Sequence, residues 1–249
     1  EAIARLAKSP RVVPTQMTFV DIAGLVRGAS KGEGLGNRFL AHIREVDAIV
    51  HVLRCFEDGG VVHVEGHVDP IADAETVNTE LMLADLESLE KRIDPLNKKA
   101  RGGDEDARAR LRVIESVLAL LRAGRPARLA GIPEADRKAF DELQLLTAKP
   151  VLFVCNVADT GADNPLVAKV AAMAAADGAR AIAICASLEA EVAALSDPAE
   201  RAEFLAAHGW REPGLSQVIR AGYALLNLIT FFTTGPDETR AWTIRRGAA

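Results

Sequence analysis

Aromatic side chains are scarce in this sequence, making up 4% of its 249 residues, with a single tyrosine among them. A core with few rings has to be filled by aliphatic side chains, and alanine-rich helices are expected around it. Cysteine is scarcer still. Cys55, Cys155 and Cys185 are widely spaced, odd in number and each set in an apolar run. That pattern excludes a disulfide framework and suits reduced, buried thiols. A positive surplus is also missing: the net charge is -5 and the pI is near 5.6, which argues against a generally basic nucleic-acid binder. No apolar run is long enough to cross a bilayer and no secretory leader pattern is found, so a cytoplasmic location without a membrane partner is expected. Nor is there a G-x-x-x-x-G-K-[ST] loop; Gly-Lys does not occur even as a dipeptide.

What is present reads as an α/β protein. Four β-like runs, Met17–Val20, Ala48–Cys55, Pro150–Cys155 and Ala179–Cys185, are nearly continuous in apolarity. Such runs suit strands buried on both faces, as in a parallel sheet covered by helices. Helical stretches lie between them: Leu35–Val46 puts Leu35, Phe39, Ile43 and Val46 on one stripe, and Asn164–Ala176 is rich in alanine. From about Ala74 to Thr147 the strand signal disappears. Leu81, Leu86, Leu89, Ile93 and Leu96 form one apolar face, and Leu111, Ile114, Leu118 and Leu121 another, on either side of a turn at Gly102–Gly103. An antiparallel helical hairpin inserted into the α/β frame is predicted. Residues 91–112 carry eight Lys/Arg against four acids, opposite in sign to the whole chain. Two readings stand for that stretch, a solvated helical face or a surface for a phosphate-rich partner. After Pro213, a helix over Gly214–Leu226 leads into LITFFTT and RAWTIRR, which read as a β-hairpin.

The stretch "MTFVDIAGLVRGASKGEGLGNRFL" concentrates glycine directly behind the first run. A dinucleotide-binding loop requires G-x-G-x-x-G immediately after a strand, but Gly32, Gly34 and Gly36 give G-x-G-x-G and begin eleven residues beyond Asp21. That reading fails on spacing. Directly behind the run stands Asp21-Ile22-Ala23-Gly24. In P-loop nucleoside triphosphatases a strand-end Asp helps hold the Mg²⁺ shell, and a nearby Gly offers its N–H to the γ-phosphate. D-x-x-G alone occurs widely by chance; position supports it here. A second run ends in Asn156-Val157-Ala158-Asp159, where proteins of this class read the base. A third ends in Cys185-Ala186-Ser187, a small-residue turn with backbone N–H groups for the base. Three loops at the carboxyl ends of parallel strands fit one crevice.

These stretches resemble a known family. "FVDIAGLVRGASKGEGLGNRFLAHIREVDAIVHVLRCFE", "NTELMLADLE" and "GLSQVIRAGYALLNL" are similar to the YchF subfamily of Obg-like ATPases, through essentially the whole chain. The resemblance implies a P-loop nucleotide-binding domain of translation-factor type, discontinuous over residues 1–74 and 148–226. It further implies an inserted helical domain over 75–147 and the start of a TGS domain over 227–249. On this view the chain is an internal fragment: the first strand, P-loop, switch I and second strand lie ahead of it, with the missing strand between the runs at Met17 and Ala48. The resemblance also implies ATP binding and slow hydrolysis with Mg²⁺, together with association to ribosomes and ribosomal RNA. No DNA partner is expected.

Two residues tune that expectation. Leu25 stands where small GTPases carry the water-orienting Gln, so hydrolysis should be slow or use another group. Val157 stands where N-K-x-D proteins carry Lys, while Asp159 keeps GTP binding as an alternative to ATP. The missing Gln has one candidate substitute, His63, which lies with His67 in the connection behind the second strand. Solvent-exposed loop histidines are the alternative, and a zinc site is set aside because no third ligand stands out. Nucleotide contacts are therefore expected from Asp21, Gly24, Asn156, Val157, Asp159, Ala186 and Ser187, with Asp21 also at the metal. Lys98, Lys99 and Arg101 beside the hairpin turn are the candidate partner-binding residues. A non-catalytic ribosome-binding scaffold is the rival function.

Overall fold

The computed structural model describes residues 2–22, 35–58, 67–160 and 163–248, with the side chains of residues 35–38 excepted. In chain order the elements are α1 (Ala2–Ala7), β1 (Arg11–Val13), α2 (Leu35–Glu45), β2 (Ile49–Arg54), α3 (Pro70–Arg101) and α4 (Glu105–Arg122). They continue with α5 (Arg137–Asp141), β3 (Val151–Asn156), α6 (Pro165–Ala176), β4 (Arg180–Ile184) and α7 (Ala186–Ala194). The last are α8 (Pro198–Ala207), α9 (Gly214–Leu225), β5 (Leu228–Thr234) and β6 (Glu238–Arg245). Contacts divide the chain into two compact units, Ile22–Gly214, and Glu1–Asp21 with Leu215–Ala249.

The larger unit is built on a parallel sheet in the order β2-β3-β4. Three of the four expected strands are these. β3 is the central one and its residues Val151 to Cys155 are all buried. The expectation of burial on both faces holds for β3 and fails for β2, where Val52 is 60% exposed. The cause is topological: among the described residues β3 has a neighbouring strand on each side and β2 on one. Leu53, Cys55, Phe153, Cys155, Val170, Leu188 and Val192 form a core in which aliphatic side chains predominate around one buried ring, Phe153. The three cysteines are free and buried. A hydrogen bond with Cys155, together with burial, pushes the Cys55 thiol up, so it stays protonated.

The hairpin is α3 packed on α4. Asp69 caps α3, its carboxylate accepting from the amides of Ile71 (3.1 Å) and Ala72 (3.2 Å). Pro70 follows at the first helical position, where its missing N–H costs nothing. Asp104 caps α4 through the Ala107 amide at 3.0 Å. Leu89, Val113, Ile114, Val117, Leu118 and Leu121 fill the interface with Phe140 and Leu143. At the base, buried Asp85 accepts from the amides of Leu146 and Thr147, each at 2.8 Å, and from the Thr147 hydroxyl at 2.7 Å. Those residues lead directly into β3, so one carboxylate fastens the hairpin to the sheet.

The smaller unit has a sheet in the order β1-β6-β5, with β1 parallel to β6 and the β5–β6 hairpin antiparallel. The hydroxyls of Ser9, Thr234 and Thr239 join the three segments. Arg11–Val13, placed by the sequence in the nucleotide-binding part, thus share a sheet with the terminal hairpin. The expected strand at Met17–Val20 is not formed: the chain has no strand there, and Phe19 and Val20 are 48% and 53% exposed. A strand exists only through hydrogen bonds to a neighbour, and none flanks this run among the described residues.

Candidate functional site

The carboxyl ends of β2, β3 and β4 meet at one end of the larger unit, and side chains tie them together. The Asn156 side-chain oxygen accepts the Ala186 N–H at 3.0 Å, crossing from the end of β3 to the start of α7. The Asn156 carbonyl accepts the Cys55 N–H at 2.8 Å. Asn164 then donates from Nδ2 to the Cys55 carbonyl at 2.7 Å, while its Oδ1 caps α6 through the Leu166 amide at 2.9 Å. Cys185 contributes a sulfur contact with the Ser187 hydroxyl at 3.2 Å. The ladder itself reaches Val157, whose N–H donates to the Ile184 carbonyl at 2.9 Å.

The sequence-predicted residues therefore separate into groups. Asn156, Val157, Asp159, Ala186 and Ser187 are brought together. Val157 is 2% exposed and belongs to the core, whereas Asp159, Ala186 and Ser187 form an exposed rim. Asn156 acts as a strut between two loops, and the Ala186 N–H is taken up by it. Asp21 is exposed and belongs to the smaller unit. Gly24, Leu25 and His63 lie outside the described residues. Lys98, Lys99 and Arg101 occupy the last turn of α3 at the hairpin tip, exposed. Cations at a helix C-terminus also offset its macrodipole, which supplies a structural role beside the binding one.

Sequence reasoning missed two residues. Asn164 looks like an ordinary helix cap before a proline, yet it bonds across 109 positions to the end of β2. Arg54, the last residue of β2, donates to the carbonyls of Phe56 and Asp58, each at 3.1 Å, and stacks over the Phe56 ring at 4.9 Å. It thereby sets the path on which the chain leaves the strand, toward the segment that carries His63.

Among the described residues no cluster of three or more His, Cys, Asp or Glu could hold a metal. Mg²⁺ beside a nucleotide needs only one or two carboxylates, the remaining ligands being phosphate and water. Asp21 presents one exposed carboxylate.

A parallel sheet whose strand-end loops are tied together, in a sequence that also carries D-x-x-G, fits a nucleotide-binding protein of the translation-factor class. In keeping with this, the profile of the 50S ribosome-binding GTPase family matches residues 6–81. Curated relatives named ribosome-binding ATPase YchF extend the match to the whole chain. That of Haemophilus influenzae is 51% identical over 249 residues, covering 100% of this chain and 68% of the relative. That of Bacillus subtilis is 45% identical, covering 99% and 68%. Among solved structures, the YchF GTPase of Schizosaccharomyces pombe superposes with a TM-score of 0.84 at 34% identity, over 99% of this chain and 68% of the other. The chain belongs to the YchF family.

Proposed function

We propose that the protein binds and slowly hydrolyses ATP as a switch that associates with ribosomes in the cytoplasm. Its bacterial relatives are named ribosome-binding ATPases, while its fission-yeast counterpart is titled a GTPase. The base is therefore the point to decide. One observation carries the ATP reading: Val157, standing where guanine-reading motifs have Lys, is 2% exposed and sealed into the core. No aliphatic stem is left to lie over a purine, and the adjoining amides and Ser187 form the rim. Adenine has no N1–H or N2 donor for the Asp159 carboxylate. Competition between labelled ATP and unlabelled GTP on the full-length protein tests this, and equal or better GTP affinity overturns it.

The phosphates require groups beyond the described site. Residues 227–249 are read as part of a TGS domain. Asp21 would join the shell of a Mg²⁺ bound with the nucleotide, which supplies charge neutralisation at the phosphates. Gly24 would offer its N–H to the γ-phosphate. Leu25 cannot orient a water, so His63 is assigned that part; His63→Ala in the full-length protein should lower kcat and leave ATP affinity intact. Unchanged turnover removes His63 from the mechanism.

Lys98, Lys99 and Arg101 are assigned to docking on ribosomal RNA. Replacing all three by Glu should sharply reduce co-sedimentation with ribosomes at low salt, with folding intact because the tip is exposed. Undiminished pelleting means that docking lies elsewhere.

A further inference from the structure

Two concavities run along α3 and meet at Lys91 and Arg92. One, of about 380 Å³, is bounded by Leu40 and Arg44 of α2 and by Ala84, Glu87 and Ser88. The other, of about 420 Å³, continues past Pro95 and Leu96 to Arg110 of α4 and to Glu142 and Leu143. From Ala84 to Leu96 the floor is about 18 Å long at 1.5 Å per residue. That exceeds several steps of a nucleic-acid strand at roughly 3.4 Å per phosphate.

The charges in this groove are unbalanced. Of its four cations, Lys91 pairs with Glu87 at 2.6 Å and Arg110 with Glu142 at 2.5 Å, which uses both acids. Arg44 and Arg92 have no carboxylate partner among the described residues. Arg44 acts at a distance on Asp85, whose carboxylate is already spent on Leu146 and Thr147. Arg92 is anchored by neutral acceptors, the Leu143 carbonyl and the Ser88 hydroxyl, both at 3.2 Å. Its guanidinium is thus held in place and not neutralised, with further N–H donors to spare. Ser88, accepting from Arg92, keeps its own proton for donation. A fixed guanidinium, with hydroxyl and ammonium groups beside it along one groove, is the donor set that bridging phosphates require.

We propose that this groove is a phosphodiester-binding track by which the hairpin grips RNA. It rests on the ribosome association proposed above for the source of that RNA, and it is a site distinct from the tip residues. A ribosomal protein would have to present an acidic ridge to fit the same groove, whereas RNA offers a regular row of anions.

The test uses fluorescence anisotropy of a labelled mixed-sequence RNA hairpin against the full chain, from about 50 to about 200 mM salt. Arg44→Ala combined with Arg92→Gln should weaken binding about tenfold or more at the low end and lower the salt slope by about two, one per lost phosphate contact. Arg44→Ala alone, at an exposed position, gives the same direction with about half the slope change and guards against misfolding of the double variant. Unaltered affinity and slope in both variants overturn the proposal. It is equally overturned if only the K98E/K99E/R101E variant loses RNA, or if the groove variants lose ribosome pelleting while keeping RNA affinity, which would assign the groove to a protein. Groove-dependent RNA binding by a chain that never pellets with ribosomes sustains the track and removes the ribosome reading instead.

Discussion

The side-chain oxygen of Asn156 accepts the backbone N–H of Ala186 at 3.0 Å, so the ends of β3 and β4 are held together by a side chain beyond the last rung of the sheet. Asn156→Ala removes this strut from an exposed amide that water can satisfy, and its effect on stability should stay near 1 kcal/mol. The effect on the site should be larger, because the two loops proposed to face the base lose their common reference. ATP affinity should fall about tenfold, equivalent to about 1.4 kcal/mol, while Asp159→Ala should change it little. Titration of both variants with a fluorescent ATP analogue checks the order; a larger loss in Asp159→Ala reverses the assignment.

Asp85 should matter for folding rather than for nucleotide. Its carboxylate satisfies two buried amides and a buried hydroxyl, although burial itself raises its pKa. Asp85→Ala strands those donors and should cost about 3 kcal/mol or more. Asp85→Asn, which retains an acceptor, should cost less. Urea unfolding gives both values, and equal losses would mean that packing and not hydrogen bonding sets the cost.

His51 makes stability depend on acid. Burial lowers its pKa from 6.5 to about 4, opposed by nearby Asp73, and its ring lies 5.7 Å from that of Phe153. The folded state holds the imidazole neutral, so its contribution is complete above pH 6.5 and is lost as pH falls toward about 4. On the order of 3 kcal/mol should disappear over that window. His51→Phe should flatten this part of the stability–pH curve. Parallel curves for the two proteins in chemical denaturation would exclude His51 as the cause.

Gly214 has no room for a side chain. An added Cβ would stand 2.8 Å from Cγ2 of Ile184 and 3.0 Å from its Cβ, and Ile184 sits on a rigid strand. Gly214→Ala should therefore destabilise by about 1–3 kcal/mol. Combining it with Ile184→Ala should recover part of that loss in thermal unfolding, since the two changes share one contact. Strict additivity would refute the clash.

Much of the fold is legible in the chain, and the exceptions have physical causes. β2, β3 and β4 are apolar runs of strand length, and α3 and α4 show clear periodicity with a Gly-Gly turn between them. Met17–Val20 carries the same composition without forming a strand, because ladder bonds depend on a partner that local sequence does not specify. Val157 was readable as a missing lysine, but its burial came only with the fold. Asn164 and Arg54 carry no local signal of their roles, which are long-range or directional bonds from residues that look ordinary in place. The groove is harder still: Arg44, Ser88, Arg92, Arg110 and Leu143 come from separate parts of the chain.

The 32 residues of α3 run as one helix, with Pro95 inside it, from the Asp69 cap to the hairpin tip, about 48 Å at 1.5 Å per residue. Asp85, midway along, fastens α3 to the residues that lead into β3, so the arm beyond that anchor is about 24 Å long. A tilt of about five degrees there carries the tip by about 2 Å. A load applied at the tip would press back on the residues leading into β3 with the leverage of that arm.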